Sequence, residues 1–211
     1  ERSRNDRRAK QATLGAIEVW RHLALALHQI GDTQGSDAAI ARADMIAERS
    51  DASSSTMAAR LHRTWAALAT ARNRHDFAAR ELDKALHSFD AGMPDSRPTA
   101  ETILLHAGAL FASGQQAEAL NGCRRGMALL RALRRGGPAR LIGPCLDIYA
   151  ASAEHDAAGR DGLQAEMFEA AEWIQGSVTA RQIALAAARL SSSSGDPKLA
   201  AAIRAQQDAQ Q

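Results

Sequence analysis

The sequence predicts an all-α chain built as a solenoid of stacked helical hairpins, and three observations predict it. Gly31, Asn73, Gly114 and Gly159 each stand ahead of an alanine-rich run, and they lie 42, 41 and 45 residues apart. A period of that length is too short for a domain and too long for a heptad. It marks units that cannot bury their apolar faces alone and therefore stack. Alanine supplies 48 of the 211 residues and aromatics only 4%, and alanine has the best intrinsic helix propensity and lets helices approach closely. Apolar alternation at period two is nearly absent, so no convincing strand is expected.

Stop and start signals set the elements. Ten helices are expected, over 5–30, 35–50, 56–73, 75–91, 98–113, 116–135, 139–156, 160–176, 178–193 and 196–209. The breaks between them fall at Gly31-Asp32, Ser50-Asp51, Gly92-Met93-Pro94, Gly136-Gly137-Pro138 and Gly195-Asp196-Pro197, residues that favour turns and caps. Asn73 stands where a helix must end in a left-handed turn, the usual substitute for glycine there. Asp196 followed by Pro197 reads as an N-cap and first-turn pair. No stretch has the length of a domain linker. The expectation is one array over 1–211, with repeats at about 13–50, 56–91, 98–135 and 139–176 and terminal helices over 178–209.

Within each unit the apolar positions recur at helical spacing. The first carries Trp20, Leu23, Ala24, Leu27, Ile40 and Ala43; the second Trp65, Ala66, Ala69, Ala78, Leu82 and Ala85. The third carries Ile103, Ala107, Leu110, Ala119, Cys123 and Gly126, and the fourth Ile148, Ala151, Ser152, Phe168 and Ala171. This pattern resembles the tetratricopeptide repeat, with its W-x-x-L-G/A helix followed by an A-x-x-x-F-x-x-A helix, at a period longer than the usual 34. The terminal proline of that motif is missing and its tyrosines are mostly Leu or Ala. The resemblance implies a right-handed superhelix whose concave face is lined by the first helix of each hairpin. Outward-facing polar residues on those helices, Arg21, His28, Arg60, Arg63, Thr64 and His106, are the candidate partner contacts.

Little in the chain suggests chemistry. The formal net charge is +2, which does not call for nucleic acid, and no aromatic residues interleave the basic ones for base stacking. Arg124, Arg125, Arg131, Arg134, Arg135 and Arg140 are the densest basic cluster. They read either as an acid- or phosphate-binding patch or as a solvated helix face with favourable charge at its C-terminus. No run of eighteen apolar residues is present, so no membrane span is expected. Seven histidines are scattered without metal-ligand spacing, and no cofactor motif is present. Asp44 and Glu48 share a helix face, an ordinary arrangement. Trp20, Trp65 and Trp173 read as hairpin-core residues or as the lining of a groove. Cys123 and Cys145 lie on successive helices that pack together, where a disulfide is geometrically feasible; two small buried thiols are the other reading. The chain begins with Glu1 and reads as a portion of a longer protein, and its compartment is not legible.

The C-terminal stretch is the most specific. Phe168-Glu169-Ala170-Ala171-Glu172-Trp173 precedes Gly195-Asp196-Pro197-Lys198-Leu199-Ala200 and Ile203-Arg204-Ala205-Gln206-Gln207-Asp208. Over about 163–209 this is similar to the junction between repeats and caspase-like protease domain in bacterial CHAT-domain tetratricopeptide proteins. The protease His and Cys of that family lie in the following domain, so the resemblance carries no catalytic residue onto this chain. It implies a non-catalytic sensing or regulatory arm whose partner is its own protease-like domain. A free-standing adaptor that holds a peptide or partner helix is the alternative, and an all-helical enzyme or ligand-binding bundle is a third. The apolar side of 196–209, Leu199, Ala202 and Ile203, is also a candidate homodimer contact.

Overall fold

The computed structural model describes residues 2–50 and 54–174, and these form eight helices and no strand. They are α1 (Arg2–Gln29), α2 (Thr33–Glu48), α3 (Ser55–Thr70), α4 (His75–Asp90), α5 (Arg97–Ala112), α6 (Gln116–Ala132), α7 (Ala139–His155) and α8 (160–174). Eight of the ten expected helices are thus observed. The helices expected over 178–193 and 196–209, the Asp196-Pro197 cap, the homodimer contact and most of the CHAT-like stretch lie outside the described residues. No helix among the described residues is long and apolar enough to cross a membrane.

Local chemistry accounts for the helix ends. Asp32, Ser54 and Ser96 each accept a hydrogen bond from the backbone N–H three residues on, at 2.8, 3.2 and 3.3 Å. Each satisfies a donor that the first helical turn leaves unpaired. Gly31 and Gly114 take φ 85° and Asn73 takes φ 55°, as a left-handed closing residue requires. At each of these ends the following N–H reaches back to the same carbonyl position: Asp32 to Leu27, Arg74 to Ala69 and Gln115 to Leu110, all at 2.9 Å. The end of α6 closes the same way through Arg134, φ 51°, and a bond from Arg135 N–H to the Leu130 carbonyl. The left-handed residue there is therefore Arg134, ahead of the expected Gly136-Gly137 break.

Gly159 is the exception. It is not left-handed; its N–H donates to Asp156 Oδ1 at 2.9 Å, as Gly35 N–H donates to Asp32. Asp156 is the counterpart of Asp32, and His155 the counterpart of Gly31. Counted from Asp32, Arg74, Gln115 and Asp156 the period becomes 42, 41 and 41 residues. The 45-residue spacing arises because Gly159 lies three residues past Asp156, on the far side of the turn.

With that register the core repeats position by position. Ile17, Ala59, Ala100 and Leu141 are buried, as are Ala24, Ala66, Ala107 and Ile148. On the second helices Ile40, Leu82 and Cys123 are buried at one position, and Ala47, Phe89 and Leu130 at another. Full burial of an aliphatic such as Ile17 or Ile40 contributes about 1.5–3 kcal/mol. Helices pair as α1 on α2, α3 on α4 and α5 on α6; α4 also packs on α5, and α7 on both α5 and α6. Small residues permit these approaches: a Cβ at Gly126 of α6 would lie 2.6 Å from Leu104 Cδ2 of α5. Two expected core residues are not core, since Leu23 is 38% and Phe168 66% exposed. On α8 the buried residues are Leu163 and Ala170 instead, each one residue short of the register kept by the earlier second helices.

Cys123 of α6 and Cys145 of α7 are joined by a disulfide, with Cα atoms 5.6 Å apart and both side chains fully buried. Of the two sequence readings, the covalent one holds. The bond ties the third hairpin to the fourth.

Candidate functional site

The structure divides the six candidate contact residues. Arg21, Arg60 and Thr64 meet around Glu18: Arg21 Nε donates to Glu18 Oε2 and Arg60 Nη1 to Glu18 Oε1, each at 2.8 Å. Arg21 also reaches Thr64 Oγ1 at 3.4 Å. Thr64 is buried and donates to the Arg60 carbonyl, so it does not face outward as expected; a threonine hydroxyl in a helix readily turns back to the preceding turn. Arg63 is joined to Glu101, which also accepts from Arg97. His28 is half-buried in the last turn of α1. Half-buried His106 has its imidazolium disfavoured, chiefly by burial, with Asp83 pulling weakly the other way. The candidates thus fall into two ion-paired groups and two separate histidines. Their arginines are committed to acids of the same chain.

Half of the basic cluster is committed likewise. Arg124 grips Glu166 with two bonds at 2.7 and 2.8 Å, which pushes the guanidinium pKa further up. Arg131 bonds Glu169, and Arg125 lies 3.8 Å from Asp90. Tyr149 lies beside the first two pairs, its phenol pushed up to about 12, mainly by burial. Three of the six arginines therefore clip one hairpin to the next, a role that neither the phosphate-patch nor the solvated-face reading anticipates.

The polar convergence that the sequence did not reveal lies elsewhere. A groove of about 520 Å³ runs between the end of α2, one face of α3 and the start of α4. Asp44 and Glu48 line it from α2, His62 and Trp65 from α3, and Phe77, Glu81 and Lys84 from α4. The Trp65 indole N–H donates to Asp44 Oδ2, and the Trp65 ring meets Phe77 edge-to-face, centroids 6.3 Å apart. Glu81 is buried; its two oxygens contact His62 Nδ1 at 2.8 Å and Lys84 Nζ at 2.6 Å. Burial, more than any neighbour, pushes the Asp44 carboxyl up; the Trp65 bond and His62 oppose this, and Glu48 and Glu81 add to it. Ser50 also lines the groove, but its hydroxyl donates to the Ala47 carbonyl. Among the described residues no group of three His, Cys, Asp or Glu side chains is placed to hold a metal ion.

One half of this site is legible in the sequence. Asp44 and Glu48 are an i,i+4 pair and Trp65 reads as core or groove; the structure makes Trp65 both, packed against the core of the first two hairpins and lining the groove. Phe77, Glu81 and Lys84 carried no signal, because only hairpin packing brings α4 opposite α2. Neither a protein-family model nor a curated protein matches the chain.

Proposed function

We propose that this chain is a non-catalytic protein–protein interaction scaffold, a right-handed superhelical array of tetratricopeptide-like hairpins that holds an extended partner segment. The observation that carries the reading is the groove between α2, α3 and α4, walled by Trp65 and Phe77 and edged by polar side chains. Aromatic walls with a few fixed polar groups are what a peptide-binding groove needs. The repeating buried positions support a stack whose surface, more than any single pocket, is the working part. A catalytic reading has less support: the lining hydroxyl of Ser50 is bonded away from His62, and the His62 ring faces buried Glu81. The Phe168-Glu169-Ala170-Ala171-Glu172-Trp173 run supports the narrower proposal of a regulatory arm in a CHAT-type protein. On that narrower proposal the held segment belongs to the protease-like domain of the same protein.

A photo-crosslinking residue at Ala58, which lines the groove, tests the scaffold reading. Incubated with lysate, or with a longer natural chain, it should capture one saturable partner segment, and Trp65→Ala should abolish the capture. Capture of nothing saturable, in cis or in trans, would sink the scaffold reading. Equal capture by the folded Trp65→Ala chain would move the binding surface elsewhere.

A further inference from the structure

We infer that the groove between α2, α3 and α4 takes the basic side chain of an extended peptide, its charged head against Asp44 and Glu48 and its aliphatic stem along Trp65 and Phe77. The inference rests on the scaffold reading and names the chemistry of the segment held. Three carboxylates line the groove, but their situations differ. Glu81 is already matched within the chain, one oxygen by His62 and the other by Lys84. Asp44 and Glu48, one turn apart on α2, pair with no lysine or arginine among the described residues. Asp44 is half-buried, and only the indole N–H of Trp65 hydrogen-bonds it. A partly desolvated carboxylate beside a second one is what an incoming cation stabilises most.

The shape decides which cation. No three ligating side chains among the described residues suit a metal ion, so a compact inorganic cation is disfavoured. The opening is about 520 Å³, and about half its lining is apolar: Ala47, Ala58, Leu61, Trp65 and Phe77. A charged head on a methylene stem matches that division, since such side chains bury the stem and keep the head at polar groups. Arg74 and Arg80 of this chain already lie 5.3 and 5.8 Å from the Phe77 ring centroid, so the ring's attraction for a guanidinium is met within the chain, and the incoming head is left to Asp44 and Glu48.

The test is ¹⁵N chemical-shift titration, reading the indole N–H of Trp65 against those of Trp20 and Trp173. Three probes are compared: a capped Gly-Ser octapeptide with one central arginine, its citrulline analogue, and free argininamide. The arginine peptide should move the Trp65 signal saturably and leave the other two indoles in place. Citrulline, neutral and nearly isosteric, should bind about tenfold more weakly or worse, the loss expected of one charge-assisted hydrogen bond. Asp44→Asn combined with Glu48→Gln should weaken the arginine peptide by a similar factor. Equal binding of citrulline, or no movement of the Trp65 signal, overturns the inference, and neither result depends on the variant folding. Equal binding of argininamide overturns the peptide assignment in favour of a small-cation site. If crosslinking at Ala58 captures a partner while the arginine peptide fails, the scaffold stands and the basic-side-chain inference falls. The reverse pattern removes the scaffold and leaves a cation site.

Discussion

Glu18 and Asp44 are both partly buried carboxylates, and their partners give them opposite pH behaviour. Burial alone pushes the Glu18 carboxyl up, but hydrogen bonds and charge from Arg60 and Arg21 outweigh it and hold it below the usual range. His22, 3.6 Å away, is the further group that faces it. The folded chain therefore binds this proton less readily than the unfolded one. Its stabilisation is complete above the ordinary glutamate range and is lost as pH falls through the lowered folded value. Glu18→Gln should cost about 1–2 kcal/mol at neutral pH and flatten the acid side of a urea stability profile. If the variant's profile stays parallel to the parent's, the pairs around Glu18 are solvated in solution. Asp44 reverses the sign, because its folded pKa is raised, chiefly by burial. Its contribution improves as pH falls through that raised value and is unfavourable above it. Asp44→Asn should therefore leave stability at neutral pH unchanged or slightly higher, read in the same urea series. A large loss would mean that a cation already compensates the carboxylate.

Left-handed closing residues fix where one helix turns into the next, and they separate backbone effects from packing effects. A Cβ at Gly114 would meet nothing within 4 Å, yet φ there is 85°. Gly114→Ala should thus cost about 1–2 kcal/mol through backbone conformation alone, while Asn73→Gly should be near neutral because Asn73 already pays the smaller part of that cost. Thermal melts of the two variants check this; equal losses would mean that Asn73 is held by its side chain. These residues also explain what was legible beforehand. Gly31, Asn73 and Gly114 announce their turns because few residues tolerate that conformation, and the helix ends around them fall within a few residues of expectation. Arg134, φ 51°, was illegible, since arginine has no preference for that conformation. Gly159 differs for the converse reason: it is the residue whose N–H the Asp156 side chain caps, and not where the chain turns left-handed. The groove was half legible. Residues sharing one helix face, such as Asp44 and Glu48, follow from spacing, whereas Glu81 and Phe77 join them only through the packing of α3 on α4 and of α3 on α2.

At the scale of the whole molecule, the stack is as strong as its weakest junction, because each hairpin gains its stability from its neighbours. The junction between the third and fourth hairpins is the one with a covalent tie, the Cys123–Cys145 disulfide, beside the Arg124–Glu166 and Arg131–Glu169 pairs. The ion pairs are exposed and contribute little each, so the disulfide dominates. It closes a segment with a sequence separation of 22, for which a chain-entropy treatment gives about 3 kcal/mol. At about 2–4 °C per kcal/mol for a chain of this size, reduction should lower the melting temperature by about 6–12 °C. The loss should also be local. Hydrogen exchange after reduction should rise first in α7 and α8 and leave α1 to α4 protected, because no covalent cross-link joins the first two hairpins to the third. Reduction should itself be slow under native conditions, since both sulfurs are fully buried and must await opening of the α6–α7 interface. Exchange rising evenly over all helices would mean that the chain unfolds as one cooperative unit. In that case the disulfide sets the stability of the whole array and not of its last junction.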